Sequence, residues 1–134
     1  MSLYYPWDLD LHSFSGLQAA CVRWAEDRQI IQHGTLVGQA TKLVEEANET
    51  LDAAKKLAAL LQREMDGDRV SERNALLAEL KDGIGDVMVV VIVICRMAKL
   101  NPVLCLRQAY LEIENRTGKM NSDGIFVKDE GQKS

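Results

Sequence analysis

The segment "VMVVVIVIC", residues 87–95, decides the fold. Its β-branched content would suit a buried strand. Its length is about half of what a membrane-spanning helix needs, and Asp86 and Arg96 close it at both ends. Its spacing argues for helix, because Leu76, Leu80, Ile84, Val87, Val91, Ile94 and Ala98 recur at steps of three and four straight through it. A helix is therefore expected from a cap at Ser71 to about Leu100, with Val89 and Ile92 beside its main stripe.

The rest of the chain is read outward from that helix. Upstream, "REMDGDRV" is a loop around Gly67. A helix is expected before it, from Leu36 to about Gln62. Leu36, Ala40, Leu43, Ala47, Leu51, Ala54, Ala58 and Leu61 form its main apolar stripe, with Ala53, Leu57 and Leu60 as a second sector. "QHGT" is a break in which Gly34 ends one helix and Thr35 caps the next. The first helix is capped by Ser13 or Ser15 and runs to about Ile31, after an irregular arm over 1–12. Downstream, "NP" at 101–102 is a cap followed by proline at the first helical position. That fourth helix runs to about Thr117 and Gly118 ends it. "KMNSDGIFVK" is extended with a turn at Asp123–Gly124, and 129–134 reads as a frayed tail. The expectation is a single all-α domain over 1–134, four-helix bundle-like, with short connections that favour antiparallel neighbours. Two helices that each offer more than one apolar face make a homo-oligomer the expected state.

Composition narrows the classes of function. A net charge of −4 argues mildly against a nucleic-acid polymer as partner. Cys21, Cys95 and Cys105 are an odd set without CxxC spacing, as expected of reduced core thiols in a cytoplasmic protein. No signal peptide is expected, since no charged stretch followed by an apolar one opens the sequence, and no membrane helix is expected, since the longest apolar run is too short.

The acidic residues are the candidate chemistry. "KLVEEANETLDAAKK", residues 42–56, carries Glu45, Glu46 and Glu49. At about 100° per residue, Gln39, Lys42, Glu46 and Glu49 share one stripe, while Glu45 sits further round. On the following helix Glu79, Asp82 and Asp86 share a face that continues into Val90, Val93 and Met97. A carboxylate in line with apolar side chains must protonate, pair or bind a cation. An all-oxygen set points to Mg²⁺ or Mn²⁺. The plainer alternative is a solvated acidic face, which "EEANE" taken alone would suit. Gly83 and Gly85 each cost a helix interior up to about 1 kcal/mol, and close approach of a helix or of a ligand would account for them. His12 and His33 stand in no HxxE or ExxH arrangement, which argues against a ferritin-like di-iron site.

These residues carry a resemblance. "EEANE" resembles the EExxE motif of the MazG-like, all-α nucleoside triphosphate pyrophosphohydrolases, and "ELKDGIGDVMVVVIVI" resembles the family's ExxD motif with its apolar helix. "HGTLVGQATKLVEE" and "AYLEIENRTGKMNSDGIFVK" extend the similarity, the latter toward short phage and bacterial members. The resemblance implies Mg²⁺-dependent cleavage of a nucleoside triphosphate to the monophosphate and pyrophosphate. It implies Glu46, Glu49 and Asp86 as metal ligands, and Glu45 as a further ligand or the residue that holds the attacking water. The chain departs from the motif at Gly83, where the ExxD glutamate would stand. The fourth ligand is then Asp82 or Glu79, with Asp82 favoured because an i, i+4 pair with Asp86 can share an ion. Lys42 either assists at the phosphates or pairs with the glutamates. Arg116 and Lys119 fall where family members place phosphate contacts, and equally suit a helix C-terminus. Asn115 is a candidate for base or sugar, or a helix-end cap. Trp24, Phe14 and Trp7 are candidates for stacking on the base, or core. The resemblance also implies a homodimer or homotetramer. Phosphoribosyl-ATP pyrophosphohydrolase is the neighbouring enzyme reading, and a non-catalytic helical module that binds nucleotide or dimerises is the reading from another class.

Overall fold

The structure is a computed structural model that describes residues 9–63 and 69–131. Most of the N-terminal arm with Trp7, the loop around Gly67 and the end of the tail lie outside the described residues. The chain divides into two units, Met1–Lys99 and Leu100–Ser134.

In the first unit, Ser13 caps α1 (Phe14–Asp27) by accepting a hydrogen bond from the Gly16 amide at 3.0 Å. The helix stops short of the expected Ile31. Gln29 adopts a left-handed conformation, φ 60°, which breaks the helix before a one-turn α2 (Ile30–His33). Gly34 and Thr35 are extended, and Thr35 caps α3 (Leu36–Leu61) by accepting from the Gly38 amide at 3.0 Å. α4 (Arg69–Met97) begins two residues before Ser71 and ends ahead of Leu100, where Lys99 turns left-handed at φ 58°. Residues 87–95 are helical throughout. Among the described residues no single helix is long and apolar enough to cross a membrane.

α3 and α4 form the main contact of this unit. A side chain at Gly83 would meet Thr50, Lys56 reaches Glu79, and Leu60 shares a pocket with Leu76. As numbers rise along α3 they fall along α4, so the helices run antiparallel. Buried Ala53 and Leu60 of α3 and Leu76, Val90 and Val93 of α4 form the core, with Ala25 of α1, Ile92 and Cys95. α1 packs on α4, and Arg96 bridges to Glu26 at 3.1 Å.

The expected faces need correction. The second sector of α3, with Ala53, Leu57 and Leu60, turns inward, whereas Leu36, Ala40, Ala47, Leu51, Ala54, Ala58 and Leu61 are exposed. On α4, Ile84 and Val91 are likewise exposed, while Val90, Ile92 and Val93 are buried. Gly83 supplies the reason. A β-carbon there would lie 2.6 Å from Thr50 Oγ1 and 3.3 Å from its Cα. The missing side chain lets the helices approach most closely along the Thr50 line, and the larger stripe is rotated away. Gly83 is thus a helix-packing residue. Gly85 is not, since a β-carbon added there would meet nothing within 4 Å.

In the second unit, Asn101 caps α5 (Pro102–Ile113) through the amides of Val103 and Leu104, at 2.9 and 3.3 Å. α5 ends before the expected Thr117. Thr117 instead pairs with Asp129, Oγ1 to Oδ2 at 2.7 Å, closing the base of an antiparallel hairpin. Its strands are β1 (Gly118–Met120) and β2 (Phe126–Lys128). Gly118 therefore opens a strand; a side chain there would run into the Val127 carbonyl. The expected turn is present: Asn121 Oδ1 accepts from the amides of Asp123 and Ile125, both at 2.9 Å, and Gly124 has φ 76°.

Candidate functional site

Antiparallel packing about Thr50 and Gly83 sets the acidic residues of α3 beside those of α4. Glu46 is the one buried charged residue among those described, with 6% of its surface exposed. It reaches this position because it shares the inward face of α3 with Thr50 and Ala53. Lys42, one turn earlier, places Nζ 2.8 Å from Glu46 Oε1 and 3.4 Å from Glu45 Oε2. These hydrogen bonds, that to Glu46 first, raise the Lys42 ammonium above the usual lysine range. The other oxygen of Glu46, Oε2, is buried and has no hydrogen-bond partner in the protein.

Two further carboxylates respond to this arrangement. Glu49 is raised above the usual glutamate value, first by the negative charge of Glu46, then by desolvation; Asp86 adds to the rise and Lys42 opposes it. Asp86 is raised by desolvation first, then by the charges of Asp82 and Glu46, again against Lys42. Glu46, Glu49 and Asp86 thus lie close enough to feel one another across two helices, and Asp82 adds its charge at Asp86. One lysine, itself half exposed, offsets them. Glu79 is engaged elsewhere, its Oε2 3.9 Å from Lys56 Nζ.

The space around these groups is divided. A cavity of about 590 Å³ has Lys42, Glu46 and Asp86 at its polar part. Trp24, Ile30, Val89, Val90 and Val93 line its apolar part, with His33, Gly34, Thr35, Gly38 and Gln39 contributed by α2 and the start of α3. A smaller space of about 280 Å³ lies along the same helix pair and is lined by Glu49, Asp52, Lys56, Glu79 and Asp82, among others. Trp24 carries the Arg28 guanidinium over its ring, 4.9 Å from the centroid. Glu45 is mostly exposed and touches only Lys42 in this group.

Asn115, Arg116 and Lys119 belong to the second unit. Asn115 and Arg116 lie in the connection between α5 and β1, and Lys119 sits in β1 opposite Val127. The sequence singles out Trp24 and sets Val90 and Val93 in line with Asp86, but it does not show that these valines, with Val89, wall a cavity, nor does it single out Thr50. A helix with apolar residues on every side does not declare which of them face a cavity.

Carboxylate oxygens are the ligands a hard divalent cation prefers, and the buried, partnerless Oε2 of Glu46 leaves one acceptor open. Among the described residues, no three acidic, imidazole or thiol groups are drawn together as an ion's inner shell; Lys42 already holds one oxygen of Glu46. A scan of protein-family models, a search of curated proteins and a search of solved structures each found no match.

Proposed function

We propose that the chain is a Mg²⁺-dependent nucleoside triphosphate pyrophosphohydrolase of the MazG-like kind. One observation carries the reading: carboxylates from two helices repel one another, and two of them, Glu46 and Asp86, line a cavity that is polar at one part and apolar and aromatic at the other. Such repulsion is a cost unless a cation relieves it.

Glu46 and Glu49 of α3 and Asp82 and Asp86 of α4 would hold the metal, with Mn²⁺ as a substitute. Bound metal would supply positive charge for the triphosphate, a more acidic water and stabilisation of the transferring phosphoryl group. Glu45, exposed beside the buried ligand, would orient the attacking water and take its proton. Lys42 would exchange Glu46 for a phosphate oxygen once metal neutralises that carboxylate. The apolar part of the cavity would receive the base, with Trp24 as a stacking surface. Attack between the α and β phosphates would release the monophosphate and pyrophosphate.

The test is pyrophosphate release from each common ribo- and deoxyribonucleoside triphosphate with Mg²⁺. Turnover by the wild-type chain that disappears in a folded Glu46→Gln variant is the expected result. No turnover with any triphosphate, together with retained nucleotide binding, would instead support a non-catalytic nucleotide-binding module. The 2.8 Å pair of Lys42 with Glu46 favours that second reading, since it neutralises the buried carboxylate from within the chain.

A further inference from the structure

Glu46 already has a cation within the chain. Lys42 Nζ lies 2.8 Å from Glu46 Oε1 and 3.4 Å from Glu45 Oε2, and Lys42 and Glu46 line the same cavity. The two partners differ in freedom. The Glu46 side chain is buried and the Lys42 side chain is half exposed. The carboxylate is therefore fixed in place, while the ammonium rides on a flexible four-carbon stem with solvent beside it. Helix stability does not account for the pair. On an isolated helix the favourable i, i+4 order puts glutamate before lysine, and here lysine comes first. The local field does account for it. Glu46 raises both Glu49 and Asp86, and Lys42 opposes both rises. The ammonium does for these carboxylates part of what a divalent ion would do.

It also stands in the way of one. An ammonium in contact with Glu46 and a divalent ion on the same carboxylate repel each other, and burial leaves that repulsion poorly screened. A metal that takes Glu46 must displace Lys42. The displaced side chain has somewhere to go, because Gly38 and Gln39, about one turn earlier on α3, line the same cavity.

We propose that Lys42 is a latch that competes with the divalent cation for Glu46, so that the site favours a metal–triphosphate complex over the free ion. The proposal rests on the reading of these carboxylates as a metal site. Free metal gains Glu46 but leaves the displaced ammonium without a partner. The complex brings phosphate oxygens along with the metal, and the ammonium exchanges one oxyanion for another. Metal and phosphate then favour each other's binding at this site, by the same factor in each direction.

Titration calorimetry with Mg²⁺ alone, on the full chain and on Lys42→Met, tests the latch. The variant is expected to bind Mg²⁺ about fivefold or more tighter than the wild-type chain. It should bind an α,β-methylene nucleoside triphosphate with Mg²⁺ more weakly than the wild type does. Lys81→Met is the control for general charge, because Lys81 shares a smaller space with Asp82 and Asp86 and makes no contact with Glu46. Its Mg²⁺ affinity should stay close to that of the wild type. Should Lys42→Met unfold, acetylation of Lys42 in the wild-type chain, followed by mass spectrometry, is the second measurement. Labelling is expected to rise with Mg²⁺ and to fall again when the methylene analogue is added. Wild-type Mg²⁺ binding that Lys42→Met does not tighten, equal tightening by both lysine variants, or Lys42 labelling that bound Mg²⁺ leaves unchanged would overturn the latch alone. No Mg²⁺ binding by any of the three chains would overturn it together with the metal reading.

Discussion

The two sides of the α3–α4 layer are built from the same two helices and leave opposite chemical demands. On one side, Glu46 is buried with an oxygen that has no partner, and Glu49 and Asp86 are held above their usual proton affinities. On the other, Val37, Val44 and Leu51 stand in solvent. A buried charge asks for one partner of one sign at one place. An exposed apolar strip asks only for area and shape. The first demand suits a small ion, and the second suits another protein surface.

The largest expected effect separates the packed face of α3 from its exposed face. Leu60 is 3% accessible and Leu51 is 49%. Leu60→Ala is expected to cost about 2–5 kcal/mol in urea unfolding, at any protein concentration. Leu51→Ala, on the exposed face, should cost less. Equal losses at the two positions would erase the distinction.

Next comes the acidic side. If Asp86 is a ligand, Asp86→Asn is expected to lower pyrophosphohydrolase turnover by about a hundredfold or more, since even residues that only support ligands cost up to about that much. The same substitution should raise the melting temperature of the metal-free protein, because it removes a charge that Asp82 and Glu46 repel. Full activity in this variant would move the ExxD assignment to Glu79 and Asp82. Glu45→Gln should lower turnover while leaving the stabilisation by Mg²⁺ intact.

The glycines of α4 sharpen the geometry between the two sides. Gly83→Ala presses a methyl group on Thr50 and is expected to destabilise by about 1–3 kcal/mol, less whatever helix propensity returns. Gly85→Ala meets nothing within 4 Å and should stabilise by up to about 1 kcal/mol. Equilibrium unfolding of the pair checks both signs.

The smallest effect is the pH dependence. Glu49 and Asp86 are raised above ordinary values of 4.5 and 3.8. Each therefore binds its proton more tightly in the folded state. Their contribution to stability is full below those ordinary values and is lost as pH rises through the folded ones. Metal-free melting temperature should accordingly carry a component that falls over that interval, and Mg²⁺ should restore it at neutral pH. A thermal scan across the interval, with and without Mg²⁺, measures it; a component with the opposite slope would mean that the two carboxylates are held ionised by a partner.

Much of the helical framework was legible because its signals are local. Thr35 and Asn101 cap helices where they stand in the sequence, and the three- and four-residue spacing carried α4 through a β-branched run. The breaks at Gln29 and Lys99 were missed, since neither residue type announces a left-handed backbone. Beyond α5 the extended segment and its turn at Asp123–Gly124 are legible but the pairing of its strands is not, because strand pairing is a contact between distant residues such as Gly118 and Lys128.

The sequence by itself determined that Glu46, Glu49, Asp82 and Asp86 lie on acidic stripes of two long helices, because a helix turns each residue by a fixed angle. It did not determine which apolar stripe would be buried. By count and size the stripe through Leu43 and Leu51 had the better claim, and the structure turned the smaller sector of Ala53 and Leu60 inward. That choice belongs to tertiary structure. Closest approach between two helices depends on what each presents at the point of crossing. The missing side chain at Gly83, facing Thr50, fixed that point, and with it fixed which side of the layer carries the charge and which side is left apolar.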